Sequence, residues 1–157
     1  MKNRSLITVT VSRWVSPFIF IYGLHLILYG HITPGGGFPG GVVLASSFIL
    51  ALLARGREAA LQRLPYPLAK RLDATGAIIF LLTALAGLAV SGIFFENFLL
   101  EIIPGTPMRL ISSGTVLVNN AAIGIKVCAS VFLIMLFLSV LRVGEDEQIR
   151  TIEKEEG

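Results

Sequence analysis

The sequence predicts an all-α integral membrane protein: a bundle of four transmembrane helices with both termini cytoplasmic. Three observations carry this prediction. Of the 157 residues, 54% are hydrophobic and 15% charged, and the mean hydropathy is +0.80, too apolar for an ordinary water-soluble domain. The apolar residues gather into four runs of about the 20 helical residues that a hydrocarbon core requires. The basic residues, finally, are concentrated in alternate connections between those runs.

The first span covers about 11–29. It follows Lys2, Arg4 and Arg13 and has no small-x-small cleavage pattern before the next break, so it reads as a retained span rather than a signal peptide. The break is His31-Ile32-Thr33-Pro34-Gly35-Gly36-Gly37-Phe38-Pro39-Gly40-Gly41. Its prolines and glycines stop both helix and strand, giving a tight turn at a membrane surface. Pro39 suits the first position of a helix that begins at Gly40, and Gly40 and Gly41 let another backbone approach closely. The second span, about 39–54, is short for a bilayer.

The connection from Arg55 to Arg71 is amphipathic in its first half, with Ala59, Ala60, Leu61 and Leu64 among charges. Pro65 and Pro67 are expected to end any helix there. Asp73 is placed to cap the third span, about 72–95, with a role in ion uptake as the second reading. That span carries Thr83, Gly87 and Ser91 at intervals of four, a ridge of small residues suited to helix packing. Glu96 and Glu101, set among Phe98, Leu99, Leu100, Ile102 and Ile103, suggest a short surface helix closed by Pro104-Gly105-Thr106-Pro107. The fourth span, about 114–141, is longer than a bilayer needs. The membrane domain is thus 1–143, and 144–157 is a charged cytoplasmic tail.

Basic residues precede span one, fill the connection between spans two and three, and follow span four as Arg142, Arg150 and Lys154; the other two connections hold only Arg109. This pattern orients both termini to the cytoplasm. It also accounts for the net charge of +3 as topology signals rather than a nucleic-acid surface. The one cysteine, Cys128, lies in an apolar run, which excludes a disulfide framework and leaves no metal-ligand spacing. No metal or cofactor is expected.

Lys126 is the most informative polar residue. A lysine near mid-membrane costs roughly 2.5 to 3.5 kcal/mol on the insertion scale, so it needs a partner or water. Asn119, Ile123 and Lys126 share a helix face, with Asn120 one position round. A second reading stands beside this one: if the span runs from Ala121 to Leu141, Lys126 lies only about 7 Å from its outer end and snorkels, with both asparagines at the interface. His25 falls at about the same depth in the outer half. His25, Lys126, Asn119 and Asn120 are therefore the candidates for an ion or proton path. His31 reads as an interface residue. Because a lysine repels sodium, proton relay or field-setting suits it better than sodium ligation.

The glycine loop (Pro34, Gly35, Gly36, Gly37, Pro39, Gly40, Gly41) is neither a Walker A element nor a dinucleotide fingerprint, since neither the Gly-Lys-Ser/Thr nor the preceding strand is present. It reads as a close-packed turn or, through exposed amides at Gly40 and Gly41, as a gate or anion-holding helix start. Ser91, Ser112 and Ser113 stand in no nucleophile motif that would make His25 a hydrolase base.

The run Gly30 to Gly41, together with Gly114-Thr115-Val116-Leu117-Val118-Asn119-Asn120 and Gly124-Ile125-Lys126, resembles the signature of the MnhB/MrpB family, B-type subunits of multisubunit cation/proton antiporters. The resemblance implies a noncatalytic, multi-pass subunit in the cell membrane. Its partners would be other membrane subunits and the lipid bilayer, and Na+ and H+ would be the ions of the complex. A related alternative is the antiporter-module subunit of a redox-driven complex of the hydrogenase or sulfur-reductase type, with its electron chemistry in other chains; another is a purely structural subunit. Four spans with few charges and no internal repeat do not suggest a transporter acting alone.

Overall fold

The computed structural model describes residues 6–102 and 112–155. In chain order the helices are α1 (Leu6–Tyr29), α2 (Gly37–Arg55), α3 (Arg57–Arg63), α4 (Tyr66–Ser91), α5 (Phe98–Ile102) and α6 (Thr115–Glu155). The described residues contain no strand. Leu6–Tyr29, Gly37–Arg55, Tyr66–Ser91 and the Thr115–Ser139 part of α6 are long and apolar enough to cross a membrane. The proposed turn at Pro104–Pro107 and Arg109 lie outside the described residues.

The α2 helix is the centre of the bundle. It lies between α1 and α6, and α4 packs on the far side of α6. Glycines permit this. Gly40 of α2 sits against Gly23 and Ile27 of α1, while the neighbouring Gly41 sits against Gly124 and Val127 of α6. Consecutive residues point about 100° apart on a helix of 3.6 residues per turn, so two adjacent glycines serve two partner helices at once.

The α2 helix starts at Gly37, earlier than the Gly40 start expected from sequence. Gly36 makes the turn with φ 129°, a region open to glycine, and the Gly40 amide donates to the Gly36 carbonyl at 3.1 Å. Pro39 therefore lies within the first turn, where its missing N–H leaves nothing unsatisfied. Before the turn, the amides of Ile32 and Thr33 each donate to the Tyr29 carbonyl at 2.9 Å. The Thr33 hydroxyl donates to the same oxygen at 3.0 Å.

Pro65 and Pro67 begin a helix rather than only ending one. Pro65 is the extended residue before α4 and Pro67 lies in its first turn, the part of a helix that tolerates proline best. Asp73 is consequently inside α4, about 10 Å from Tyr66 at 1.5 Å per residue, and does not cap the helix.

Two apolar clusters fill the bundle. Leu52, Ala60, Leu64, Ala69, Phe132 and Leu136 join α2, α3, α4 and α6; Ile27, Leu44, Ala45 and Cys128 join α1, α2 and α6. Phe132 is fully buried and meets the Phe48 ring edge to face at 6.0 Å, a favoured aromatic geometry. Cys128 is a buried free thiol that packs like a small apolar side chain.

At the opposite end Asn97 clamps the start of α6. Its Oδ1 accepts from the Thr115 amide at 2.8 Å and the Thr115 hydroxyl at 2.9 Å. Its Nδ2 donates to the Ser113 carbonyl at 2.9 Å. The residue thus supplies from a distance what an N-cap supplies locally. Asn97→Ala is expected to cost about 1 kcal/mol and to speed amide exchange at 113–116, measured by hydrogen–deuterium exchange, while α1 and α2 are unaffected.

Candidate functional site

The antiparallel α4 and α6 helices meet where Gly76 lies against Ala122 and Lys126; a Cβ at Gly76 would stand 2.6 Å from the Ala122 carbonyl oxygen. This approach brings two charged side chains together. Lys126 Nζ donates to Asp73 Oδ1 at 2.8 Å, and the Ser130 hydroxyl donates to the same oxygen. Lys126 and Ser130, four apart on α6, share the face that meets Asp73. This is the one ion pair found among the residues whose side chains are described.

Lys126 lies about 17 Å along the helix from Thr115 at 1.5 Å per residue, close to the midpoint of the apolar Thr115–Ser139 segment. Its ammonium is bonded to the neighbouring helix rather than extended to a helix end. Pairing lowers the cost of holding each charge in a low-dielectric environment. The pair is not sealed inside the chain, for the Lys126 and Asp73 side chains retain 44% and 34% of their accessible surface. Two ammonium hydrogens and Asp73 Oδ2 take no partner among the described residues. The arrangement can therefore bind water or a further polar group on the flank of the α4–α6 pair.

The other sequence-selected residues are distributed around the bundle. Asn119 lies two turns from Lys126 with its Oδ1 buried and without a hydrogen-bond partner among the described residues. Asn120 belongs to α2 instead: its Oδ1 accepts from the Gly37 amide at 3.3 Å, satisfying a helix-start donor. The Gly40 amide is likewise occupied within the helix; the anion-holding amides expected at Gly40 and Gly41 belong to a helix already under way.

His25 does not join Lys126. Ile27 of α1 meets Gly124 of α6, and both His25 and Lys126 stand two residues from that contact, more than half a helical turn away. His25 is exposed and stacks on Tyr29 with ring centroids 4.8 Å apart. The common pocket expected for the histidine and the lysine is therefore replaced by two separate flanks. His31 is partly buried at the turn. Within this chain the Thr83, Gly87, Ser91 ridge meets a turn rather than a helix: Gly87 lies against the backbone of Ile93 and Glu96, and the Thr83 hydroxyl donates to the Ile79 carbonyl of its own helix.

Lys126 stands out in the sequence, whereas its partner Asp73 does not. The available signal was Pro67, whose place in a first helical turn puts Asp73 on the same helix as Gly76, within the span.

Four membrane-length apolar helices, two of them joined by a charge pair, define a multi-pass helical membrane protein. Residues 7–133 match the model of the MnhB domain, described as related to the MnhB subunit of Na+/H+ antiporters, and the chain belongs to that family. It is 34% identical over 144 residues to an uncharacterized protein of Methanocaldococcus jannaschii, covering 89% of this chain and 54% of that protein. It is 39% identical over 85 residues to a protein of Staphylococcus haemolyticus named as antiporter subunit mnhB2, covering 54% of this chain and 60% of the relative. The corresponding protein of Staphylococcus aureus strain Newman is 35% identical over 85 residues. The chain thus spans 54% of the length of the first relative and 60% of the staphylococcal ones.

Proposed function

We propose that this chain is a noncatalytic subunit of a multisubunit Na+/H+ antiporter in the cell membrane, with Asp73 and Lys126 on an ion or proton route shared with a neighbouring subunit. The observation that carries this reading is the Lys126–Asp73 ion pair between two membrane-length helices, left open on the flank of α4 and α6. Ionisable groups at this depth ordinarily face protein or a water-filled path, so a neighbouring chain or its hydrated cavity covers them. The lysine repels sodium, so its charge suits proton relay, or setting the field for a carboxylate on the neighbour, better than direct sodium ligation. Both termini lie on the cytoplasmic side, a reading supported by the alternation of basic connections.

Affinity purification of the tagged chain from its native membrane is expected to bring other membrane subunits with it. Everted vesicles lacking the chain are expected to lose Na+/H+ antiport, and the wild-type chain to restore it. Antiport by the purified chain alone in vesicles would refute the assignment, as would unchanged antiport after its deletion. In a Cys128→Ser background, Asn3→Cys and Glu156→Cys should both react with an impermeant maleimide only after the cytoplasmic face is opened.

A further inference from the structure

At the end of the bundle where α3 lies, three helices converge on a polar contact. The Ser16 hydroxyl of α1 donates to the Ser47 carbonyl of α2 at 2.8 Å, and Arg63 Nη1 of α3 donates to the Ser16 oxygen at 3.0 Å. A groove of about 380 Å³ opens there, walled by Pro17, Phe20, Ile21 and Phe48 with Arg63 at its mouth.

The charge on Arg63 has no acidic counterpart among the residues whose side chains are described. Ser16 is neutral, and among the described residues no carboxylate accepts from the guanidinium. Guanidinium carries five N–H donors, of which the structure engages one. Ser47 lies about 12 Å along α2 from Arg55 at 1.5 Å per residue, so the guanidinium is drawn inward from the level at which α2 ends. Trp14, 70% exposed on α1, marks the interfacial zone nearby, where indole rings concentrate. Arg63 is itself exposed, and a cation beside an apolar, lipid-facing surface is held there at lower cost when water or an anion completes its shell. The anion that a bilayer delivers at this depth is a lipid phosphate, already attached to the acyl chain that fits the slot. Arg13, exposed and one turn from Ser16, adds positive potential that favours a net-negative headgroup over a zwitterionic one.

We propose that the α1–α2 groove binds one acidic phospholipid, its phosphate on Arg63 and an acyl chain against Pro17, Phe20, Ile21 and Phe48. The site is independent of the ion pair and of the assigned transport role.

Native mass spectrometry of the full chain, released from nanodiscs of equimolar phosphatidylglycerol and phosphatidylcholine, tests it. Phosphatidylglycerol is expected to be retained about fivefold over phosphatidylcholine, the preference one interfacial arginine supplies, and Arg63→Gln should bring the ratio close to one. Ile21→Trp fills the slot without touching the Arg63–Ser16 contact and should reduce retention of both lipids. Ile21 is 64% exposed, so this arm stands whether or not Arg63→Gln folds. Equal retention of the two lipids by the wild type would overturn the proposal. It would also fall if excess inorganic phosphate displaced the lipid, which marks a simple anion site, or if a partner subunit's carboxylate occupied the groove in the isolated complex.

Discussion

Lys126→Ala alone is expected to deplete folded protein in the membrane and to abolish antiport, whereas Asp73→Ala combined with Lys126→Ala should recover the fold and not the transport. The single change leaves a carboxylate inside α4 with only the Ser130 hydroxyl for company. An unpaired aspartate at the centre of a span costs up to about 3 kcal/mol on the insertion scale. Removing one partner of a charge pair is more damaging than removing both, because the surviving charge keeps its desolvation cost and loses the attraction that offset it. The double variant restores neutrality, so folded yield, read by fluorescence-detected size exclusion, should return towards wild type. Antiport in everted vesicles separates the two roles. A path function requires the charges themselves, so transport should remain at background in the double variant. Recovery of both fold and antiport would reduce the pair to a packing device. Asp73→Lys with Lys126→Asp tests geometry: it keeps a pair but moves the carboxylate from α4 to α6, and should fold while transporting poorly. The coupling follows from the double-mutant cycle, which isolates the pairwise contribution from two single losses.

How far the sequence discloses this site depends on which interactions are local. Four long apolar helices were legible because hydropathy over a span is a property of consecutive residues. Lys126 was legible for the same reason, as one charge in an apolar run. Its partner was not, because Asp73 and Lys126 stand 53 positions apart and nothing in either local pattern names the other. Placing the helix start at Leu72 instead of Tyr66 then turned an interhelical ligand into a cap. Asn97 was overlooked on the same grounds: its partners are at Ser113 and Thr115, across the α4–α6 connection. His25 shows the opposite error. Depth can be counted along a helix, but azimuth requires knowing which face meets which neighbour, and the Ile27–Gly124 contact turns His25 away from Lys126. The glycine pair fared better because a missing side chain has one dominant structural use in a bundle, close approach.

Gly41→Leu is accordingly expected to eliminate folded protein, and Gly41→Ala to lower its stability by about 1–3 kcal/mol, the usual cost of overpacking. A Cβ added at Gly41 would meet the Gly124 carbonyl oxygen at 2.7 Å and Val127 Cβ at 2.9 Å. The first is backbone and the second is fixed to it, so neither can rotate away; α2 and α6 must separate. Separation would also pull Gly37 from the Asn120 oxygen that satisfies its amide and would loosen the Phe48–Phe132 contact between the same helices. Gly35 in the same cluster is the control. There the nearest atom to a new Cβ is Leu26 Cδ2 at 3.3 Å, the end of a flexible side chain, and Gly35 is not among the positive-φ glycines. Gly35→Ala should therefore remain within about 0.5 kcal/mol of wild type, as surface substitutions without a special backbone role do. Thermal melts of the two alanine variants in one detergent make the comparison directly. Equal melting temperatures would mean that the glycines act as flexible loop residues and that the close approach of α2 and α6 does not hold the bundle.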